Sequence, residues 1–211
     1  RALKAVEQPR LQARLGGTEV HVGDSDLGES FRQSPAAQLR EQGLTFQPAK
    51  HAHLTILGSR TLHWATEADC DATARSLAAL PPLRKAFIEL HGPLGAGKTT
   101  FARHLLHALG VAGRVKSPTY AVMEPYDLPG GSVWHFDFYR FNDPREWEDA
   151  GFRDIFASPG LKLAEWPDKA AAMLPTPDLV LRLEVDANDT RTVHLHAGTA
   201  AGQALLAGIK A

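Results

Sequence analysis

The sequence predicts an α/β fold in which a mixed sheet carries flanking helices, and three observations predict it. A compact apolar run at 86–90 stops at a glycine-rich loop, as a buried parallel strand does. Apolar residues then recur at helical spacing directly after that loop. Further along, two strand-like runs are joined by the turn-rich stretch 127–131, which indicates a hairpin. Parallel strands around helices, together with an antiparallel pair, make a mixed sheet.

The other elements follow in chain order. A short strand at 61–64 precedes a helix at about 67–80, which a pair of prolines ends. Gly110 is placed for the left-handed cap of the helix after the loop. Asp143 begins a later helix, with proline and glutamate at its first and third positions. Strands are predicted at 121–126, 133–139, 161–165, 179–185 and 192–196, and a terminal helix at 204–209.

The chain divides into two regions near residue 58. Residues 1–58 lack a sustained helical or strand period and scatter glycine, glutamine, proline and arginine. We therefore expect 1–58 to be an N-terminal extension, either flexible or the product of a misplaced start, and 59–211 to be the folded domain. His51 and His53 have no cysteine or acidic companions at ligand spacing, which favours a solvent-exposed pair over a metal site.

Composition and charge exclude several classes of protein. The 211 residues are 44% apolar and 22% charged with a formal charge of -1, which argues against a chain that grips RNA mainly by itself. The single Cys70 excludes an intramolecular disulfide, and no apolar run approaches the roughly 20 residues that span a bilayer. We expect a cytoplasmic protein without a membrane partner.

The loop at 92–99 reads Gly-Pro-Leu-Gly-Ala-Gly-Lys-Thr and has the spacing of a phosphate-binding P-loop. Its glycines let the backbone turn tightly and aim N–H groups at phosphates. Lys98 places an ammonium near the β and γ phosphates, Thr99 offers a hydroxyl to Mg²⁺, and the following helix adds its positive dipole end. A strand before the loop and a helix after it disfavour an incidental glycine-rich turn. The fold is therefore expected to be P-loop NTPase-like.

Candidates for the rest of the site lie beyond the loop. A P-loop needs a carboxylate for the metal at the end of a neighbouring buried strand, and Glu165 has that position unless it is an ordinary strand-end acid. Asp137 stands among aromatic residues, where burial is costly without a metal or a partner, and an ion pair with Arg140 is the alternative. Thr119 is either a switch threonine that senses the γ phosphate or part of a proline-fixed turn. Trp166 follows Glu165 directly and is expected to shape the site.

In this order the motifs resemble one family, the small bacterial ATPases of tRNA threonylcarbamoyladenosine biosynthesis, the TsaE family. The resemblance covers about residues 60–209. Besides the P-loop, it rests on Lys-Ser-Pro-Thr-Tyr at 116–120, His-Phe-Asp-Phe-Tyr-Arg at 135–140, Gly-Phe-Arg-Asp at 151–154 and Glu-Trp-Pro at 165–167. Many families share a P-loop, whereas this succession of motifs is much more specific.

The resemblance implies ATP and Mg²⁺ as ligands and assigns residues to them. It implies metal binding by Thr99 and Glu165 and a role in hydrolysis for Asp137, with Lys98 and Thr119 as further catalytic candidates. ATP binding is implied for Glu67, Leu94, Gly95, Ala96, Gly97, Lys98, Thr99 and Thr100. Pro93 stands where the family usually has aspartate; it lacks an N–H, but nucleotide binding is expected to survive because the next amides remain.

The resemblance also implies partners. Proteins of this family work with a two-subunit tRNA threonylcarbamoyl transferase of the TsaB and TsaD type, which modifies adenosine 37 of tRNAs reading codons that start with A. The chain is thus expected to reach tRNA through that complex and to hydrolyse ATP slowly without it. Two alternatives remain open from the residues alone: a small-molecule kinase in which Asp137 accepts a hydroxyl proton, and a nucleotide-gated interaction module with little catalysis.

Overall fold

The computed structural model describes residues 55–210, which contain seven strands and five α-helices. The strands are β1 (Gly58–Trp64), β2 (Phe87–His91), β3 (Met123–Leu128), β4 (Gly131–Asp137), β5 (Leu161–Glu165), β6 (Leu179–Val185) and β7 (Arg191–Ala197). The helices are α1 (Glu67–Ala78), α2 (Lys98–Ala108), α3 (Pro144–Asp149), α4 (Phe152–Ala157) and α5 (Ala200–Gly208). Pro81–Lys85 and Pro167–Lys169 are short 3-10 helices. Most of the expected extension, with His51 and His53, lies outside the described residues.

All seven strands form one mixed sheet in the order β1-β7-β6-β2-β5-β4-β3. The four middle strands, β6, β2, β5 and β4, are parallel, and β7, β1 and β3 add antiparallel edges. This confirms the predicted mixed α/β sheet. Because β2 lies in the middle, the loop that follows it emerges beside the carboxyl ends of β5 and β4, which is where open α/β sheets bind ligands.

Two apolar clusters cover opposite faces of the sheet. In β2, Ile88 and Leu90 belong to one cluster and Phe87 to the other, and successive strand residues point to opposite faces. The first cluster packs α1, α2 and α5 against the sheet, and the second packs α3 and α4. Six aromatic side chains build most of the second cluster: Phe87, Phe136, Phe138, Phe141, Trp147 and Phe152. The strands that carry the site are therefore buried on both faces.

Two helix boundaries with a local chemical cause are where the sequence places them. Gly110 adopts φ 106°, and the N–H of Val111 donates to Leu106 O at 3.0 Å, so α2 ends in a Schellman cap. Asp143 caps α3 and exchanges hydrogen bonds with Glu146 in a capping box. Both predictions are confirmed.

Several predicted boundaries differ from the structure. Strand β1 begins at Gly58 rather than at 61, and β4 spans Gly131–Asp137 rather than 133–139. Three further differences have a local cause. Helix α1 ends at Ala78 rather than at 80, because the residue before a proline avoids the helical region and Leu80 is extended. Strand β3 begins at Met123 rather than at 121, because the Val122 N–H donates to Pro118 O at 2.6 Å and closes a turn. Helix α5 begins at Ala200 rather than at 204, because the Thr199 hydroxyl caps it.

Among residues 55–210, no helix has both the length and the apolar character that crossing a bilayer requires.

Candidate active site

The loop between β2 and α2 follows a path that only glycine permits at its first turn. Gly92 has φ 141°, and a Cβ at this position would lie 2.5 Å from the carbonyl oxygen of Leu183 in β6. Gly97, the cap residue of α2, is left-handed with φ 104°. The loop thus presses against β6 and turns directly into the amino end of α2, where unpaired backbone N–H groups and the helix dipole favour an anion.

Lys98 is the buried cation of this site. It is 4% exposed, and its Nζ donates to the carbonyl oxygens of Gly92 and Pro93, both at 2.8 Å. The ammonium also lies 3.9 Å from the ring centroid of Trp166, as expected for a tryptophan that shapes the site. Burial lowers the pKa of Lys98, against the opposing attraction of nearby carboxylates. Because its direct partners are neutral, this buried charge favours the approach of an anion.

Glu165, at the end of β5, connects this strand to α2 by a hydrogen bond. Its Oε2 accepts a hydrogen bond from the Thr99 hydroxyl at 2.9 Å. Its Oε1 lies 2.9 Å from Nε2 of His135 in β4. Glu165 is 2% exposed, so it is a buried, fully engaged carboxylate rather than an ordinary acid at a strand end.

Asp137 ends the neighbouring strand β4, and three hydrogen-bond donors surround its carboxylate. Its Oδ2 accepts from the hydroxyls of Ser117 and Thr119, the latter at 2.7 Å, and its Oδ1 accepts from the Tyr139 N–H at 2.9 Å. The alternative ion pair with Arg140 does not form, because Arg140 stacks on Tyr120 instead, 4.4 Å from its ring centroid. Hydroxyl and amide donors therefore compensate for the burial of Asp137.

A cavity of about 360 Å³ opens beside the P-loop. Its wall includes Glu67 at the start of α1, Thr100 in α2 and Arg191 at the start of β7. Arg191 Nε donates to Ala96 O at 3.0 Å and so ties β7 to the loop. Cys70 contributes to the same wall, and burial raises the pKa of its thiol to about 12, so the thiol itself stays neutral.

The structure brings most of the predicted site residues together. Thr99 and Glu165 form one hydrogen-bonded pair, close enough to Lys98 for the carboxylate to act on its charge, and Thr119 with Asp137 forms a second pair on the adjacent strand end. The loop residues Gly95, Ala96 and Gly97, together with Thr100 and Glu67, line the neighbouring cavity instead. Leu94 is 79% exposed at the loop tip and does not line this cavity.

Three residues of the site were not predicted as such. His135 stands two positions before Asp137, so strand alternation puts both side chains on one face, and this was the available indication. Ser117 stands two positions before Thr119 in the same way. Arg191 had no local indication, because it lies 95 residues along the chain from the loop carbonyl that it contacts.

The oxygen ligands present suit magnesium. Residues 55–210 contain no group of three or more histidine, cysteine, aspartate or glutamate side chains arranged to hold a metal ion. Mg²⁺ in phosphate sites typically takes one or two protein oxygens and completes its shell with phosphate and water. The Thr99 hydroxyl and the Glu165 carboxylate, 2.9 Å apart, form such a pair.

The sequence is similar to known proteins of one family. Residues 64–193 match the family described as "Threonylcarbamoyl adenosine biosynthesis protein TsaE". The protein named tRNA threonylcarbamoyladenosine biosynthesis protein TsaE from Haemophilus influenzae is 40% identical over 119 residues, covering 56% of this chain and 75% of that protein. The protein of the same name from Bacillus subtilis is 34% identical over 106 residues, covering 50% of this chain and 66% of that protein.

A solved structure also matches the fold. The crystal structure of YdiB from Bacillus subtilis superposes with a TM-score of 0.57 at 23% sequence identity and covers 72% of this chain and 94% of that chain. The family match at 64–193 spans more than half of the chain and contains the P-loop, both carboxylates and Arg191. The chain therefore belongs to the TsaE family of threonylcarbamoyl adenosine biosynthesis proteins.

Proposed function

We propose that this protein is a Mg²⁺-dependent ATPase that assists the formation of N6-threonylcarbamoyladenosine at position 37 of tRNAs reading codons that start with A. The observation that carries the proposal is the buried ammonium of Lys98, which neutral carbonyls hold at the amino end of α2. A nucleotide triphosphate supplies the anion that this arrangement favours.

The loop would hold the phosphates and the adjoining cavity the nucleoside. Amides of 94–99 and Lys98 are the phosphate ligands in this proposal, and Glu67 and Arg191 flank the nucleoside. The amide that Pro93 lacks costs the site little, because the amides of the following loop residues remain. The Pro93 carbonyl still accepts a hydrogen bond from Lys98.

Thr99 and Glu165 would hold the metal, which when bound neutralises charge on the phosphate oxygens. Asp137 would orient the attacking water and accept its proton. Three donors fix its carboxylate at the strand end next to that of Glu165. Thr119 donates to that carboxylate, so contact of its hydroxyl with the γ phosphate would couple nucleotide state to the orientation of Asp137.

The mouth of the site offers a surface for partners. Leu94 is 79%, Tyr120 85% and Tyr139 44% exposed, and exposed large apolar side chains grouped around a site favour protein contacts. In this proposal they meet a two-subunit transferase of the TsaB and TsaD type in the cytoplasm, and that complex binds the tRNA. Hydrolysis is slow until the complex forms.

The test compares Lys98→Ala with Lys85→Ala, an exposed lysine at the opposite end of β2. ATP hydrolysis and the number of modified tRNAs per complex are measured with the two partner subunits and tRNA present. Wild type and Lys85→Ala should give more than one modified tRNA per complex, and Lys98→Ala no more than one.

Other outcomes identify the alternatives. Complex-stimulated hydrolysis that persists in Lys98→Ala contradicts the proposal. Transfer of labelled γ phosphate to a metabolite would identify a kinase. An interaction module would be identified by two results together: partner binding that depends on ATP, and tRNA modification that is unchanged in Asp137→Ala.

A further inference from the structure

His135 is a buried histidine that touches the carboxylate proposed to hold the metal. It is fully buried in β4, and its Nε2 lies 2.9 Å from Glu165 Oε1. Glu165 itself is 2% exposed. Polar groups at this depth act through specific partners, because water does not replace a lost hydrogen bond.

Both oxygens of Glu165 are therefore engaged, and by different elements. The Thr99 hydroxyl of α2 donates to Oε2, while the His135 ring of β4 meets Oε1. Two contacts, one at each oxygen, fix the rotation of the carboxylate plane, which neither contact fixes alone. The orientation of Oε2 toward Thr99 thus depends on the bond at Oε1.

The second ring nitrogen of His135 indicates the direction of that bond. Nδ1 is buried and has no hydrogen-bond partner within the described part of the chain. A hydrogen on Nδ1 would be a buried donor without an acceptor, which is costlier than an unused lone pair. The hydrogen therefore belongs on Nε2, and His135 donates to Glu165.

We propose that His135 is a positioning residue that orients Glu165 for the Mg²⁺ of the bound nucleotide. This inference rests on the proposed ATPase function. Residues behind a metal ligand commonly set its orientation, and their loss typically weakens metal affinity or activity about 10- to 100-fold. His135 touches neither Thr99 nor Lys98 by a hydrogen bond, so its effect passes through Glu165.

A merely structural role makes a different prediction. If His135 only fills the core and satisfies a buried carboxylate, its replacement lowers stability and affects nucleotide binding with and without metal to the same extent. A positioning role instead separates the two measurements. In that case, replacement of His135 leaves nucleotide affinity without metal nearly unchanged and raises the Mg²⁺ concentration needed for the half-maximal effect.

The experiment uses the full chain and a fluorescent ADP analogue as probe. Its affinity is measured in EDTA and then across a Mg²⁺ titration for wild type, His135→Leu, His135→Gln and Val133→Ala. Leucine keeps the apolar volume but removes the donor, and glutamine restores an N–H near the place of Nε2. Val133, 1% exposed and two residues earlier on the same face of β4, controls for general loss of packing.

His135→Leu should bind the probe in EDTA within about threefold of wild type, while the Mg²⁺ concentration for half-maximal effect rises about 10- to 100-fold. His135→Gln should restore that concentration to within a few-fold, and Val133→Ala should leave it unchanged. If His135→Leu does not fold by circular dichroism, His135→Asn replaces it, because its amide lies too close to the backbone to reach Oε1.

An unchanged Mg²⁺ midpoint in a folded variant that lacks the donor overturns the positioning role. An equal loss of affinity with and without metal overturns it too. Failure of the proposed function looks different, because wild type itself would then bind no probe or would bind it without any response to Mg²⁺.

Discussion

Asp137 and Glu165 are register partners at the carboxyl ends of the adjacent parallel strands β4 and β5. In parallel pairing, partners of equal register point to the same face, so the two carboxylates stand side by side next to the P-loop. Their neighbours nevertheless differ. Glu165 bonds with Thr99 and His135, and Asp137 bonds with Ser117 and Thr119. In the proposed mechanism, this difference in partners assigns metal binding to Glu165 and activation of water to Asp137.

Replacement of Asp137 by asparagine should separate nucleotide binding from catalysis. The amide keeps the size of the side chain but accepts no proton, so hydrolysis should fall about 10²- to 10⁴-fold while nucleotide affinity stays within about threefold. Single-turnover hydrolysis and equilibrium binding check this. Asp127→Asn, in the β3–β4 hairpin, is the matched control and should keep the wild-type rate. Comparable rates in both variants would remove Asp137 from the mechanism.

Arg191 should support nucleotide affinity through the loop. Its guanidinium bonds to the carbonyl of Ala96 at 3.0 Å and borders the cavity, and hydrogen bonds from charged groups contribute about 1.5–3 kcal/mol. Arg191→Ala should therefore weaken nucleotide binding about 10- to 100-fold, measured by calorimetric titration. Arg182→Ala, an exposed arginine of the neighbouring strand β6, should bind as wild type does. If the two variants bind equally well, Arg191 does not hold the loop.

Gly92→Ala should destabilise the fold by close contact as well as by backbone strain. The added Cβ would meet Leu183 O at 2.5 Å, at a residue with φ 141°. Gly113 also has positive φ, 87°, but open space around it. We expect a loss of about 1–3 kcal/mol for Gly113→Ala and about 1–3 kcal/mol more for Gly92→Ala. Urea denaturation measures both losses, and equal values would show that the loop shifts to accept the methyl group.

His91 should make stability depend on pH. Burial disfavours its charged form, but Asp168 and Glu89, at 3.3 and 2.9 Å, outweigh this and raise the pKa of His91 above its ordinary 6.5. Arg182 is its neighbour in register on β6. A raised folded-state pKa stabilises the protein fully below about pH 6.5, and this stabilisation is lost as pH rises through the folded-state value.

The measurement for His91 is urea denaturation of wild type and His91→Gln at intervals from pH 6 to pH 9. Glutamine does not titrate, so the stability difference between the two proteins should favour wild type at the acid end and shrink as the pH rises. A difference that stays constant, or that grows toward alkaline pH, would contradict the raised pKa.

Features with a local cause were predictable from the sequence. The P-loop, the Gly110 cap and the Asp143 capping box each depend on a few neighbouring residues whose chemistry is the same in any fold. Glu165 was predictable because it ends an apolar run beside the loop, and Asp137 because an acid among aromatic residues needs a partner or a metal. The end of β4 at Asp137, rather than at 139, was not predicted.

Contacts across the sheet were not predictable in the same way. The bond from Arg191 to the loop depends on β7 lying antiparallel to β6, and nothing near Arg191 in the chain encodes this. The predicted start of α5 was wrong because the first turn of this helix contains alanine and glycine and shows no apolar period. Thr199 supplies its cap. Tertiary pairing decided the Arg191 contact, whereas a local cap without an apolar period decided the start of α5.

Trp166 is an intrinsic fluorescent probe beside the ammonium group of Lys98. Its indole lies 3.9 Å from the Lys98 ammonium, and an indole's emission responds to charge beside its ring. Trp64 borders the cavity instead and is buried with its N–H bonded to Thr73, so only Trp166 reports directly on the charge of Lys98. Phosphate arrival at Lys98 should therefore register in the intrinsic fluorescence of the unlabelled protein, and Trp166→Phe identifies its share of the change.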